Sequence, residues 1–174
     1  MKKYILYLFL FLIVGFSGCK SSKQSTYSSR GGSKEYKEDK VVYINKDAEK
    51  VVKEARSYLG TKYKYGGDTK KGMDCSGLIC KSYNSVGVEL PRRSADQANV
   101  GKRVYIGELE EGDLIFFGAR EGSDKITHVG LVTYSVEGVV RFIHSSSSAG
   151  VIESDLSNSY WKPRYIKAVR PTEK

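Results

Sequence analysis

The sequence predicts an α+β domain in which helices come first and an antiparallel β-sheet follows. Apolar residues recur at helical spacing in two early segments, residues 51–59 and 78–86. After Gly107 the pattern changes to short apolar runs of strand length, separated by turn-forming residues. Helices followed by strands with hairpin-length connections are typical of α+β proteins with an antiparallel sheet.

The first residues have the pattern of an export signal. Lys2 and Lys3 precede an almost unbroken apolar run over residues 4–16. This run is shorter than the about twenty residues that a membrane-spanning helix needs, and it has the length of a signal-peptide core. The segment ends in Phe-Ser-Gly-Cys, which resembles the processing box of bacterial lipoproteins. We therefore expect residues 1–18 to be a lipoprotein signal peptide and Cys19 to carry the lipid; a general secretory peptide with a chance cysteine is the alternative.

The residues that follow have the composition of a tether. Between residues 20 and 39, Tyr27 and Tyr36 are the only large apolar side chains among many Ser, Lys and Gly residues. Such a segment buries too little apolar surface to offset its ordering entropy. We expect residues 19–44 to be a flexible tether and residues 45–174 to be the working domain. The expected location is the cell envelope outside the cytoplasm, at the outer membrane.

The charge of the chain gives no support for nucleic-acid binding. The formal net charge of +9 falls to +4 for residues 51–174, where nineteen basic residues face fifteen acidic ones. No basic run interleaved with aromatic residues occurs, and the modest excess suits an anionic polymer at least as well. We expect a monomer with no nucleic-acid partner and no cofactor.

A cysteine lies where the second helix should begin, in the stretch Asp74-Cys75-Ser76-Gly77-Leu78. Asp74 has a side chain that can cap the first free backbone amides. Cys75 would then lie in the first turn, where the helix dipole favours a thiolate. That environment suits a nucleophile, but a small buried apolar cysteine fits the local pattern equally well.

The histidines are the natural partners of this cysteine. The chain has only two, and His128 begins one predicted strand while His144 ends the next. A cysteine, a histidine and a polar orienting group suffice for thiol acyl transfer. The set Cys75, His128 and His144 could also be a zinc site with one open position, or the histidines could make only local hydrogen bonds. Cys80 is poorly placed for a disulfide with Cys75 and is expected to fill space.

One site requires both histidines on the same face of their hairpin. Side chains alternate along a strand, so the number of loop residues and any bulge decide which face His144 takes. A three-residue loop over residues 136–138, with Gly138 in the left-handed conformation, satisfies this requirement. His144 then lies across from Gly130 and diagonally next to His128.

Seven segments resemble, in the same order, the NlpC/P60 family of bacterial cell-wall cysteine peptidases. The segments are residues 59–67, 74–78, 90–97, 112–117, 128–130, 142–145 and 160–161. The resemblance implies a papain-like core in which the cysteine helix packs on the histidine-bearing sheet. It makes Cys75 the nucleophile, His128 the base and His144 the residue that orients His128. The positions that it places near the nucleophile or the substrate are Tyr63, Asp74, Ser76 and Arg92.

The function implied by the resemblance is hydrolysis of the stem peptides of peptidoglycan. Family members often cut between D-glutamate and the following diamino acid. For this chain we expect a thiol acyl-enzyme and no metal. We therefore expect an exported, lipid-anchored endopeptidase with peptidoglycan stem peptides as its partner. A catalytically silent peptidoglycan-binding lipoprotein and an acyltransferase using the same thiol are the alternatives.

Overall fold

The structure, a computed structural model that describes residues 47–171, has the predicted order of helices followed by strands, except for two strands of two residues each that precede the second helix. The α-helices are α1 (Ala48–Arg56), α2 (Cys75–Asn84) and α3 (Ser94–Gln97). The strands are β1 (Asp68–Thr69), β2 (Gly72–Met73), β3 (Lys102–Val104), β4 (Leu114–Gly118), β5 (Ile126–Val136), β6 (Val139–Ser146), β7 (Gly150–Asp155) and β8 (Tyr165–Arg170). The expected signal peptide and tether, residues 1–18 and 19–44, lie outside the described residues. Within residues 47–171 no helix combines the length and the apolar character needed to cross a membrane.

A six-stranded antiparallel sheet forms the centre of the domain. Its strand order is β3-β8-β4-β5-β6-β7, and every neighbouring pair is antiparallel. The predicted α+β class with an antiparallel sheet is therefore confirmed. Strand β3 was not predicted, because only Val104 of its three residues is buried and its pattern resembles that of a loop.

Both faces of the sheet are covered, which explains the continuous apolar runs of its central strands. Leu114 and Phe116 of β4 face the core formed with α1 and α2. The alternate residues Ile115 and Phe117 belong to a second core on the opposite face. All five residues of β4 are consequently buried, as in strands that have no solvent-facing side.

The turn between β5 and β6 differs from the predicted one. The expected three-residue loop over residues 136–138 is wrong, because Val136 pairs directly with Val139. The turn contains only Glu137 and Gly138, whose φ angles are 50° and 81°. Two-residue turns with positive φ favour Asn or Asp before Gly. The Glu-Gly sequence lacks that signal.

A β-bulge in β5 brings the side chain of His144 to the same face of the sheet as that of His128. The β5–β6 register shifts at Thr133, where β5 contains one residue without a partner on β6. Beyond the bulge Leu131 pairs with Ile143, so the next position along the ladder sets His144 opposite Gly130. This is the predicted position, reached through a two-residue turn and a compensating bulge.

Gly130 should be intolerant of a side chain. A Cβ atom there would lie 2.4 Å from Cδ2 of Phe142, whereas a Cβ at Gly107 would meet no heavy atom within 4 Å. We expect Gly130→Ala to lower the free energy of unfolding by about 1–3 kcal/mol, since a packed ring has to move. Urea denaturation measures the change, with Gly107→Ala as the matched control. Equal losses in the two variants would contradict the packing described at Gly130.

Candidate active site

The start of helix α2 positions Cys75. Asp74 is extended (φ −101°, ψ 174°), and its carboxylate accepts a hydrogen bond from the backbone amide of Gly77. The two atoms are 2.7 Å apart, so the predicted N-cap is confirmed. Cys75 is the first residue of the helix, and both Cys75 and Cys80 are free thiols, as expected.

The thiol of Cys75 lies in a poorly solvated position. Burial raises the pKa of Cys75, and backbone amides of Val129, Ser76 and Cys75 itself counteract only part of this effect. The helix terminus therefore does not by itself produce the thiolate that the sequence suggested, because desolvation outweighs it. Such a cysteine needs a base at the moment of reaction.

The histidines form a hydrogen-bonded pair. Nε2 of His128 lies 3.1 Å from Nδ1 of His144, and Nε2 of His144 lies 3.0 Å from Oγ of Ser154. The prediction that both imidazoles share one face within bridging distance is confirmed. Nδ1 of His128 takes no part in these hydrogen bonds, so it is the nitrogen available to accept a proton.

Aromatic rings enclose the pair. The indole of Trp161 stacks on His128, with ring centroids 5.3 Å apart and an interplanar angle of 20°. The same indole meets His144 edge-on at 4.7 Å, and the ring of Phe142 lies 5.1 Å from His144. Burial lowers the pKa of His128 to about 4. Burial, together with the charge of His128, lowers the pKa of His144 to about 3.

Two cavities meet at the cysteine. The first has a volume of about 630 Å³ and contains Cys75, His128 and His144 in its lining. The second, of about 420 Å³, lies on the side of Arg92. Tyr63, which is 36% exposed, lines both cavities together with Cys75. The arrangement is a groove that passes over the thiol, with the imidazole pair on one side.

The predicted substrate-side residues come together in the second cavity. Asp74 binds the Arg92 guanidinium through both carboxylate oxygens, at 2.9 and 2.7 Å, and Ser76 Oγ accepts from the same guanidinium at 2.8 Å. Burial alone would raise the pKa of Asp74, but hydrogen bonds from Arg92 and from backbone amides hold it below its ordinary value. The substrate contact of Tyr63, Asp74, Ser76 and Arg92 stays a prediction.

The geometry does not suit the zinc alternative. The nitrogens of His128 and His144 that face each other are joined by a hydrogen bond, so their lone pairs are not directed at a common point. In the described part of the chain, no group of three or more His, Cys, Asp or Glu side chains is placed to hold a metal ion.

Two residues of the site were missed from the sequence. Trp161 was recognised only as part of a matching segment, and its position over both imidazoles had no sequence signal. Ser154 was not considered, because its contact with His144 depends on the β6–β7 register, which the sequence pattern does not specify.

The fold and the site define a papain-like thiol domain: a cysteine at a helix N-terminus beside a histidine pair on an antiparallel sheet. Comparison with known proteins agrees with this class. The sequence pattern described as "NlpC/P60 family" matches residues 60–170. The chain belongs to the NlpC/P60 family.

Similar proteins include two bacterial enzymes and one solved structure. The murein DD-endopeptidase MepS/murein LD-carboxypeptidase of Escherichia coli (strain K12) is 39% identical over 122 residues, which cover 70% of this chain and 61% of that protein. The bifunctional muramidase/DL-endopeptidase CwlT of Bacillus subtilis (strain 168) is 38% identical over 119 residues, or 68% of this chain and 35% of that protein. The crystal structure of an NlpC/P60 family protein from Bacillus cereus superimposes with a TM-score of 0.65 at 31% identity, covering 72% of this chain and 40% of the other. The chain thus spans less than two thirds of the length of each of these proteins.

The depressed histidine pKa values can be measured directly. Because His128 and His144 are the only histidines, ring-proton NMR of protein without a histidine tag follows both. We expect neither ring to titrate near the ordinary value of 6.5 in the folded state, and both to do so in concentrated urea. The unfolded chain then binds more protons than the folded one as the pH falls below 6.5, so the contribution of the pair to the free energy of unfolding should decrease down to about pH 3. A folded-state titration near 6.5 would show that the pair is solvated.

Proposed function

We propose that this protein is a cysteine endopeptidase that hydrolyses the stem peptides of peptidoglycan through a covalent acyl-enzyme. The observation that carries the proposal is a free thiol at a helix N-terminus sharing one cavity with a hydrogen-bonded histidine pair. The names of the relatives from E. coli and B. subtilis, which describe murein and DL-endopeptidase activities, support the substrate.

Cys75 is the nucleophile and His128 the general base in this proposal. Nδ1 of His128 takes the thiol proton as sulfur attacks the carbonyl carbon of the scissile amide, and the backbone amides of Cys75 and Ser76, which act on the thiol at the start of α2, stabilise the developing oxyanion. The imidazolium then gives the proton to the leaving amine, and the C–N bond breaks. Water, activated by the same nitrogen, attacks the thioester and releases the acid and the free thiol.

The buried environment determines when charge appears. Burial raises the pKa of Cys75 and lowers that of His128, so both groups are neutral in the resting site. The thiol proton therefore has to pass to His128 during the reaction. His144 supports the imidazolium that forms, through its hydrogen bond to His128.

The bond that we propose is the one between D-glutamate and the diamino acid. The name of the B. subtilis relative, a DL-endopeptidase, supports this choice. The E. coli relative is named as a DD-endopeptidase and an LD-carboxypeptidase, which makes the peptide cross-link the second candidate. Each bond leaves different termini on the products.

We also propose that the domain works as a membrane-anchored lipoprotein. The support is the sequence: residues 1–18 as a signal peptide, Cys19 as the lipidated residue and residues 19–44 as a tether. The twenty residues 20–39, when fully extended, can reach about 65–70 Å, which suits a domain that acts on a polymer at a distance from its membrane. The outer membrane is the proposed location.

Digestion of purified peptidoglycan tests the activity. Full-length protein should release muropeptides, and Cys75→Ala should reduce release by at least about a thousandfold, because loss of a catalytic nucleophile can cost up to about a millionfold in kcat. Cys80→Ala is the matched control, since Cys80 is the other partly buried free thiol and should be dispensable. Mass spectrometry of the new termini identifies the bond.

The alternatives predict different products. A silent binding protein would sediment with peptidoglycan and release nothing, whether or not Cys75 is present. An acyltransferase would yield peptides joined to an added amine acceptor in preference to free acids. Equal release by wild type and Cys75→Ala would refute the cysteine mechanism itself.

Lipidation is tested by a change at Cys19. We expect Cys19→Ser to lose the mass of the acyl groups and to leave either an uncleaved precursor or a form released from the membrane, since stable anchoring takes more than one acyl chain. Fractionation and intact-mass analysis measure both effects, with Ser17→Ala as a nearby control. Unchanged mass and fractionation would mean that Cys19 is not the anchor.

A further inference from the structure

The hydrogen-bonded chain of the site continues beyond the histidine pair. Nε2 of His144 lies 3.0 Å from Oγ of Ser154 on strand β7. Ser154 pairs with Phe142 and lies two residues after Ile152, the partner of His144, so its side chain points to the same face of the sheet. The chain therefore runs from His128 through His144 to a serine hydroxyl.

We propose that Ser154 is a positioning residue that holds the histidine pair in the proton arrangement needed for reaction. The kinetic part of this proposal rests on the proposed function. The proton arrangement itself is a property of the resting protein and can be observed without substrate.

Two proton arrangements satisfy the contacts of the neutral pair. In the first, Nε2–H of His128 donates to Nδ1 of His144, whose Nε2–H donates to the hydroxyl of Ser154. In the second, the hydroxyl donates to His144, and Nδ1–H of His144 donates to Nε2 of His128. Only the first leaves Nδ1 of His128 free to accept the thiol proton, because in the second that nitrogen carries the hydrogen.

The charged state permits only the first arrangement. Once His128 is an imidazolium, both of its nitrogens carry hydrogen, so Nε2–H must donate to Nδ1 of His144. The hydrogen of neutral His144 is then on Nε2, where Ser154 accepts it. Ser154 is thus an obligatory acceptor while His128 holds the proton, and it is optional before that.

The surroundings make this acceptor hard to replace. His144 is 1% exposed, and Trp161 covers it edge-on at 4.7 Å. A buried N–H without an acceptor is costly, and the penalty is greater when one of the hydrogen-bonded groups is charged. The hydroxyl of Ser154 borders the 630 Å³ cavity, so its own hydrogen can turn towards that space when it accepts from His144.

Ring-nitrogen NMR tests the proton arrangement. Full-length protein in detergent, labelled with ¹⁵N and free of any histidine tag, contributes signals from two histidines only. We expect the wild type to carry hydrogen on Nε2 of both rings. Ser154→Ala should shift the pair towards Nδ1–H, and Ser154→Thr, which keeps the hydroxyl, should restore the wild-type pattern. Ser157→Ala, at an exposed position nearby, is the control.

Kinetics on a muropeptide cleaved by the wild type supply the second measurement. We expect Ser154→Ala to lower kcat by about ten- to a hundredfold, the rate equivalent of one hydrogen bond to a charged group, with KM unchanged. Ser154→Thr should recover most of kcat. Equal losses in Ser154→Ala and Ser154→Thr, or a loss confined to KM, would indicate a packing or substrate-binding role and overturn the proposal.

The two measurements separate this inference from the proposed function. Wild-type ring signals and wild-type kcat in Ser154→Ala would overturn the inference and leave the peptidase intact. Absence of any cleavage by the wild type would refute the proposed function, whereas the ring-nitrogen signals would still decide the proton arrangement.

Discussion

The carboxylate of Asp74 is the interaction on which the geometry of the site depends. Its two oxygens accept five hydrogen bonds, from the amides of Gly66 and Gly77, the hydroxyl of Ser76 and both terminal nitrogens of Arg92. These bonds fix the preceding loop, the start of α2 and the guanidinium in one unit. Cys75 follows directly in the chain, so its position is determined by a group that is saturated and rigid. Because its lone pairs are occupied, Asp74 acts on the groove mainly through the exposed guanidinium that it holds.

The histidine side of the site depends on a different constraint. The number of unpaired residues in the turn and the bulge of the β5–β6 hairpin decides whether the two histidines share a face of the sheet. The two-residue turn at Glu137 and Gly138 would by itself turn His144 away from His128. The bulge at Thr133 restores the common face. A single extra residue in one strand therefore decides whether the two imidazoles can share a proton, which is consistent with bulges re-aiming side chains next to active sites.

Local features were predictable from sequence, and features set by distant packing were not. The N-cap of α2 and the change from helical spacing to strand-length apolar runs after Gly107 depend on residues close together in the sequence, so both were predicted. The resemblance to a known family supplied the roles that local patterns left open for Cys75 and the histidines. Three features depend on the register in which the strands pair, which no local pattern specifies. They are the type of the β5–β6 turn, the contact of Ser154 with His144 and the position of Trp161 over the imidazoles. The upward shift of the pKa of Cys75 was also not predicted, since the helix dipole acts locally whereas desolvation depends on the whole fold.

The neutral resting site explains why a hydrogen-bonded chain is needed at all. A solvated histidine could share its developing charge with water, but the indole of Trp161 and the ring of Phe142 cover part of the surface of the pair and leave less room for water. In such surroundings an imidazolium gains most from a partner that is already oriented, because no solvent has to rearrange as the proton arrives. His144 is that partner, and it is held in turn by Ser154. The burial that makes the thiol hard to ionise thus also strengthens the hydrogen bonds that support its deprotonation.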